Sequence, residues 1–145
     1  MELVTKKRLT IVSGRVNREL AEEVAERLGQ HLGPVALAEF ANGELHCKFG
    51  ESIRGADLFI FQSHCADGEL SVNDALMEQL IMVDALKRAS AKRITVVAPF
   101  YPYSRQDKKG RGREPISARL IADLFKAAGA DRIMSVDLHA AQIQG

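Results

Sequence analysis

The residues with the clearest chemical potential lie in the stretch FYPYSRQDKKGRGREPISARLIADLFKAAGADRIMSVDLHAAQIQG, from Phe100 to Gly145. Arg105, Lys108, Lys109, Arg111 and Arg113 set five cations around a single acid, Asp107. An arginine can grip phosphate through two parallel N–H donors, and lysines act as point charges. Gly110 and Gly112 give the backbone room to close over a ligand. Further along, Asp137 and His139 stand two residues apart at the end of an expected strand, so their side chains leave on one face. Cations that hold phosphate, beside side chains that can hold a metal, are what phosphoryl transfer requires.

Each of these features also has a plainer reading. Charge runs such as RQDKKGRGR usually form solvated surface loops. The Asp137–His139 pair can be a buried histidine satisfied by backbone. A magnesium site wants carboxylate oxygens and water around phosphate, and two residues are too few for a complete shell. Phe100, Tyr101 and Tyr103 can stack a base, although core packing is the commoner role. Asn42-Gly43-Glu44 reads as a turn. Ser52-Ile53-Arg54-Gly55 reads as an anion-binding corner or as a polar connection. There is no GxxxxGK[ST] loop, and no GxGxxG follows a strand, so a bound nucleotide must be held by other means.

Strands are expected at Leu9–Ser13, Val35–Phe40, Leu45–Phe49, Leu58–Phe61, Ile94–Ala98 and Ile133–Val136, mostly as short apolar runs. Asn42-Gly43 predicts a hairpin near residues 40–50. Asn17 is the expected cap of a first helix with Leu20, Val24 and Leu28 inward, ending at Gly29. Ser71 with Asp74 resembles a capping box that opens a longer helix, striped by Leu76, Leu80, Val83 and Leu86. Pro115 and Ser117 mark the start of a third, with Leu120, Ile121, Leu124 and Phe125 inward. This alternation predicts one α/β domain over residues 1–145, with a parallel sheet flanked by helices on both faces. Ligands of such sheets gather beyond the carboxyl ends of the strands. The cationic loop and Asp137–His139 both fall there.

The 145 residues are 46% hydrophobic and 27% charged, which fits an ordinary globular domain. No apolar run reaches the ~20 residues of a membrane span, which argues against a membrane partner. The N-terminus lacks the apolar centre of a signal peptide, and Cys47 with Cys65 make no disulfide framework, so a cytoplasmic location is expected. Net charge is +1, but residues 105–113 carry +4 and the remainder −3. A cationic loop on a mildly acidic body points to a small, highly charged anion rather than to nucleic acid.

The chain resembles the ribose-phosphate diphosphokinases, or phosphoribosyl-pyrophosphate synthetases. The resemblance runs through FANGE (Phe40 to Glu44), ESIRGADLFIFQS (Glu51 to Ser63) and LMEQLIMVDALKRASAKRITVVAPFYPYSRQDKK (Leu76 to Lys109). It continues through REPISARLIADL (Arg113 to Leu124) and AGADRIMSVDLHAAQIQG (Ala128 to Gly145). It implies a phosphoribosyltransferase-like fold and magnesium-dependent transfer of the β,γ-diphosphoryl group of ATP to the 1-hydroxyl of ribose 5-phosphate, releasing AMP. By the same resemblance, Phe40, Asn42 and Glu44 reach ATP bound in a neighbouring subunit of a homo-oligomer. Arg105, Gln106, Asp107, Lys108 and Lys109 line the nucleotide site, and Asp137 and His139 match the magnesium positions. Ser52 and Arg54 match a regulatory phosphate or ADP site at a subunit interface. Family members are about twice as long. Their second domain carries a catalytic lysine and the acidic ribose 5-phosphate loop, and neither occurs here. The expectation is an N-terminal, ATP-side half with little activity alone. The alternative is a non-catalytic module that associates with full-length synthetase.

Overall fold

The computed structural model describes residues 8–140 and 143. Its elements are β1 (Leu9–Ser13), α1 (Arg18–Arg27), β2 (Val35–Glu39), β3 (Leu45–Phe49), β4 (Asp57–Phe61), α2 (Val72–Arg88), β5 (Arg93–Val97), α3 (Ser117–Ala128) and β6 (Arg132–Met134). Four strands form a parallel sheet in the order β1-β4-β5-β6, and β2 pairs with β3 in a separate antiparallel hairpin. The fold is therefore the α/β arrangement expected from the alternation of apolar strands and amphipathic helices.

Register places the strand ends in one row. Ser13 pairs with Phe61, Phe61 with Val97, and Val97 with Met134. The chain leaves each strand at the same edge of the sheet, which is where loop residues can converge.

Alternation along the strands separates two faces. Val12, Leu58, Ile60, Ile94 and Val96 join Met82, Val83 and Leu86 of α2 and Ile121 and Phe125 of α3 in the main core. Val35, Leu37, Cys47 and Phe49 of the hairpin pack against that core. On the opposite face, Ile11, Phe59, Phe61 and Met134 line an apolar groove with Val24 and Leu28 of α1. Helices do lie on both faces, but unequally: α2, α3 and the hairpin against one, α1 alone against the other. The sheet edges are short. Among the described residues, only the single bridge Ile11–Leu32 continues the pairing beyond β1, and β6 is three residues long.

Helix α2 starts where the capping box predicts. Asp74 N–H donates to Ser71 Oγ at 3.1 Å, and Ser71 N–H donates to Asp74 Oδ2 at 2.9 Å. Other expectations are corrected. Asn17 occupies the cap position of α1 in a left-handed conformation (φ 54°) and makes no side-chain cap bond. Its amide instead donates to Ser63 Oγ at 3.2 Å. The face that α1 buries is Ala21 and Ala25, while Leu28 is exposed. Small residues face the sheet because the helix lies close to β1, leaving the larger leucines at the margin. In α3, Ile121 and Phe125 are buried, but Leu120 and Leu124 are exposed. A single helix with a narrow seam buries only one pair per turn here. The last strand ends at Met134 rather than Val136, which is 85% exposed.

Candidate functional site

After β5, the segment Pro99–Ser104 is fastened to the body, and the cations follow it. Tyr101 is buried, and its hydroxyl donates to Ala118 O at 2.9 Å. Burial pushes the Tyr101 phenol up to about 12, so it remains a protonated donor. This settles Tyr101 as a packing residue, whereas Phe100 is exposed. Tyr103 takes a left-handed conformation (φ 58°) and its hydroxyl donates to Asn73 Oδ1. Gln106 closes the base of the loop. Its N–H donates to Tyr103 O at 2.9 Å, and its carbonyl accepts from Ala118 N–H at 3.1 Å. Its side-chain oxygen accepts from the Ser117 hydroxyl at 2.6 Å. Ser117 thus braces the loop rather than capping α3, which has Ile116 at its cap position.

Arg105, Lys108, Lys109, Arg111 and Arg113 are all exposed. None forms an ion pair with a described carboxylate. Elsewhere Arg8, Arg15, Arg18, Arg88 and Arg119 each meet a carboxylate at 3.1 Å or less. The loop therefore gathers five exposed cations that no ion pair among the described residues engages.

Asp137 lies beyond β6, not at its end. Its N–H donates to Pro99 O at 2.8 Å, and it pairs in a parallel bridge with Phe100. This pins the DLH segment directly beside the start of the cationic loop. Asp137 and His139 are both exposed, so His139 is not the buried histidine of the plainer reading. Among the described residues, no three His, Cys, Asp or Glu side chains gather as a metal-holding group. One exposed carboxylate and one imidazole fit an ion whose shell is mostly phosphate oxygen and water. Between the loop, α3 and the DLH segment lies a cavity of about 590 Å³, lined by Tyr101, Asp107, Ile116, Arg119, Ser135 and Leu138 among others.

The other two predicted groups lie elsewhere. Phe40, Asn42 and Glu44 form the exposed tip between β2 and β3, where Phe40 is 56% exposed and meets His46 edge-on at 5.8 Å. Asn42 Oδ1 accepts from Glu44 N–H at 3.2 Å, and Gly43 adopts φ 89°, so the turn reading holds. Ser52 and Arg54 precede β4 and therefore sit at the amino end of the sheet, opposite the cationic loop. Ser52 O accepts from Arg8 Nη1 at 3.0 Å.

Three features carried no signal recognised in the sequence. Glu78 is only 2% exposed and receives the Arg15 N–H at 2.8 Å, Arg15 Nε at 2.6 Å and Gln62 Nε2 at 3.0 Å. Arg15 Nη2 also donates to Glu39 at 3.0 Å, tying the base of the hairpin tip to the turn after β1. His64 is 3% exposed and stacks edge-on against Phe125, and neither ring nitrogen meets a described partner in good hydrogen-bond geometry. Glu114 accepts the backbone N–H groups of Gly110 and Arg111.

Residues 9–129 match the family described as the N-terminal domain of ribose phosphate pyrophosphokinase. The chain is 63% identical over 140 residues to a ribose-phosphate pyrophosphokinase of Mycobacterium leprae, and 61% identical over 140 residues to one of Streptomyces coelicolor. Each comparison covers 97% of this chain and 42% of the relative. A crystal structure of phosphoribosylpyrophosphate synthetase from Mycobacterium smegmatis superposes with a TM-score of 0.91 at 60% identity, covering 96% of this chain and 45% of that one. The chain thus spans less than half the length of the relatives it matches, and it belongs to the family of ribose phosphate pyrophosphokinase N-terminal domains.

Proposed function

We propose that this chain is the ATP-side half of a ribose-phosphate diphosphokinase. The observation that carries the proposal is the pairing of Asp137 with Phe100 and Pro99, which brings the DLH segment to the root of the loop that carries the five exposed cations. Arg105, Lys108 and Lys109 hold the phosphates of ATP, while Gln106 and Asp107 shape the site behind them. Asp137 and His139 would hold a magnesium ion, with phosphate and water completing its shell, and the bound ion would supply charge neutralisation for the phosphates. In the complete reaction the 1-hydroxyl oxygen of ribose 5-phosphate bonds to the β-phosphorus and gives up its proton to solvent, while the bond from the β-phosphorus to the bridging oxygen breaks and AMP leaves with that oxygen. This chain's part is to bind and orient ATP. The exposed tip Phe40–Glu44 serves ATP in a neighbouring subunit, and Ser52 with Arg54 takes phosphate or ADP at a subunit interface.

Mg-ATP is expected to bind this chain, and Lys108→Ala/Lys109→Ala to weaken that binding about tenfold or more, with a shallower salt dependence. Calorimetry at two ionic strengths checks it. Absence of Mg-ATP binding by the unaltered chain refutes the reading, as does full affinity in the double variant. Incubation with ATP and ribose 5-phosphate is expected to release little AMP. The exposed Phe40 favours a second role in association with full-length synthetase. Mixing the two and finding neither co-elution nor altered synthesis excludes that role.

A further inference from the structure

Glu114 could neutralise a neighbouring cation, yet it does not. One carboxylate oxygen accepts the N–H of Gly110 at 3.0 Å and the N–H of Arg111 at 2.9 Å. The tip of the cationic loop is thereby closed on itself across residues 110–114. Several neighbours are fitted to this closure. A Cβ on Gly110 would stand 3.1 Å from the Glu114 oxygen, tighter than nearly all such contacts, so glycine suits the position. Arg113 adopts φ 68°, a left-handed conformation unfavourable for a residue with a Cβ. Pro115 then restricts Glu114 to extended backbone. The base of the same loop is closed by Gln106 against Ser117 and Ala118. Closed at both ends, the loop carries its cations exposed, with no ion pair to them among the described residues.

We infer that Glu114 is a positioning residue, clasping the loop so that its cations are prearranged for the phosphates of a nucleotide. The inference rests on the nucleotide-binding reading above. Ordering backbone costs conformational entropy, and a loop already closed avoids part of that cost when the ligand arrives.

The clasp and plain electrostatics predict opposite signs. Glu114→Ala removes a negative charge from a cationic loop, so by Coulomb attraction alone it should tighten an anion. Under the clasp it weakens binding, because the loop opens. Glu114→Gln removes the same charge but keeps a side-chain oxygen that can accept both N–H groups.

The test compares the unaltered chain, Glu114→Ala and Glu114→Gln for Mg-ATP affinity by calorimetry. In parallel, trypsin cleavage after Lys108, Lys109, Arg111 and Arg113 is followed by mass spectrometry. Expected are about five- to tenfold weaker binding in Glu114→Ala, with faster cleavage in the loop. Glu114→Gln should bind at least as tightly as the unaltered chain and be cleaved at its rate. Unchanged or tighter binding in Glu114→Ala overturns the positioning role, even if cleavage accelerates. If the unaltered chain binds no Mg-ATP, the nucleotide reading fails by itself. The cleavage comparison then decides the clasp: faster in Glu114→Ala supports it, and equal rates overturn it.

Discussion

Arg15→Met is expected to lower the free energy of unfolding by about 3–5 kcal/mol, the usual cost of removing one partner from a buried ion pair. The reason is Glu78, whose carboxylate is almost wholly buried and accepts Arg15 Nε, Arg15 N–H and the Gln62 amide. Desolvation of Arg15 is outweighed by hydrogen bonding and Coulombic attraction to Glu78 and Glu39, so its guanidinium is held above its ordinary pKa. Without the guanidinium, a buried negative charge is left with two neutral donors. The paired change Arg15→Met/Glu78→Gln should recover more than half of the loss, since a neutral amide still accepts from the backbone and Gln62. Urea unfolding of the two single variants and the double one reads the coupling directly. A loss below about 1 kcal/mol in Arg15→Met, or strict additivity in the double variant, would show that the pair is not a unit. Gly14 belongs to the same cluster, because a Cβ there would lie 2.3 Å from Gln62 Oε1.

The second large effect is an acid-side loss of stability through His64. Burial lowers its pKa from 6.5 to about 4, and the nearby Phe100 backbone and Gln79 amide only temper the shift. No charged side chain contributes to it. In the unfolded chain the imidazole gains its proton as pH falls through 6.5, whereas in the folded chain it stays neutral down to about 4. Between these values the unfolded state binds the extra proton, so stability falls with falling pH and levels off below about 4. At ~1.4 kcal/mol per pH unit the full loss is about 3 kcal/mol. The carboxyls of Asp67 and Asp74 also weaken the protein in acid, being held below the usual carboxylate range by the N–H groups of Leu70 and Ser71. They act equally in His64→Gln. The difference between the two pH–stability curves from 7.5 to 4 therefore isolates His64. Parallel curves would remove His64 as a source.

What was legible in the sequence followed from local rules. Apolar runs without alternation place β1, β4 and β5 to within a residue, because a strand with apolar residues on both faces has no polar side to interrupt it. The α2 start was readable because both halves of its capping box lie within four residues. Long-range partners were not readable. Asn17 has the right chemistry for a cap, but Ser63, 46 positions away, takes its side chain. Glu78 looks like a surface acid in a helical stripe, and only the arrival of Arg15 from the turn after β1 explains its burial. At the site, RQDKK and DLH stood out by charge and residue type, and the parallel sheet put them at one edge. The hold of Glu114 on Gly110 and Arg111 escaped notice, since backbone donors leave no trace in composition.

The short margins of the sheet also decide how this protein would fail. Edge-to-edge growth needs a long run of unpaired backbone, and here one margin ends in a single bridging residue and the other in a three-residue strand. Fibril-like extension of the four-stranded sheet has little template to start from. The apolar groove beside α1, with Met134 and Leu28 open to solvent, is instead the sticky surface. Its aggregates should form by face-to-face association of folded molecules and redissolve on dilution, rather than convert to cross-β fibres.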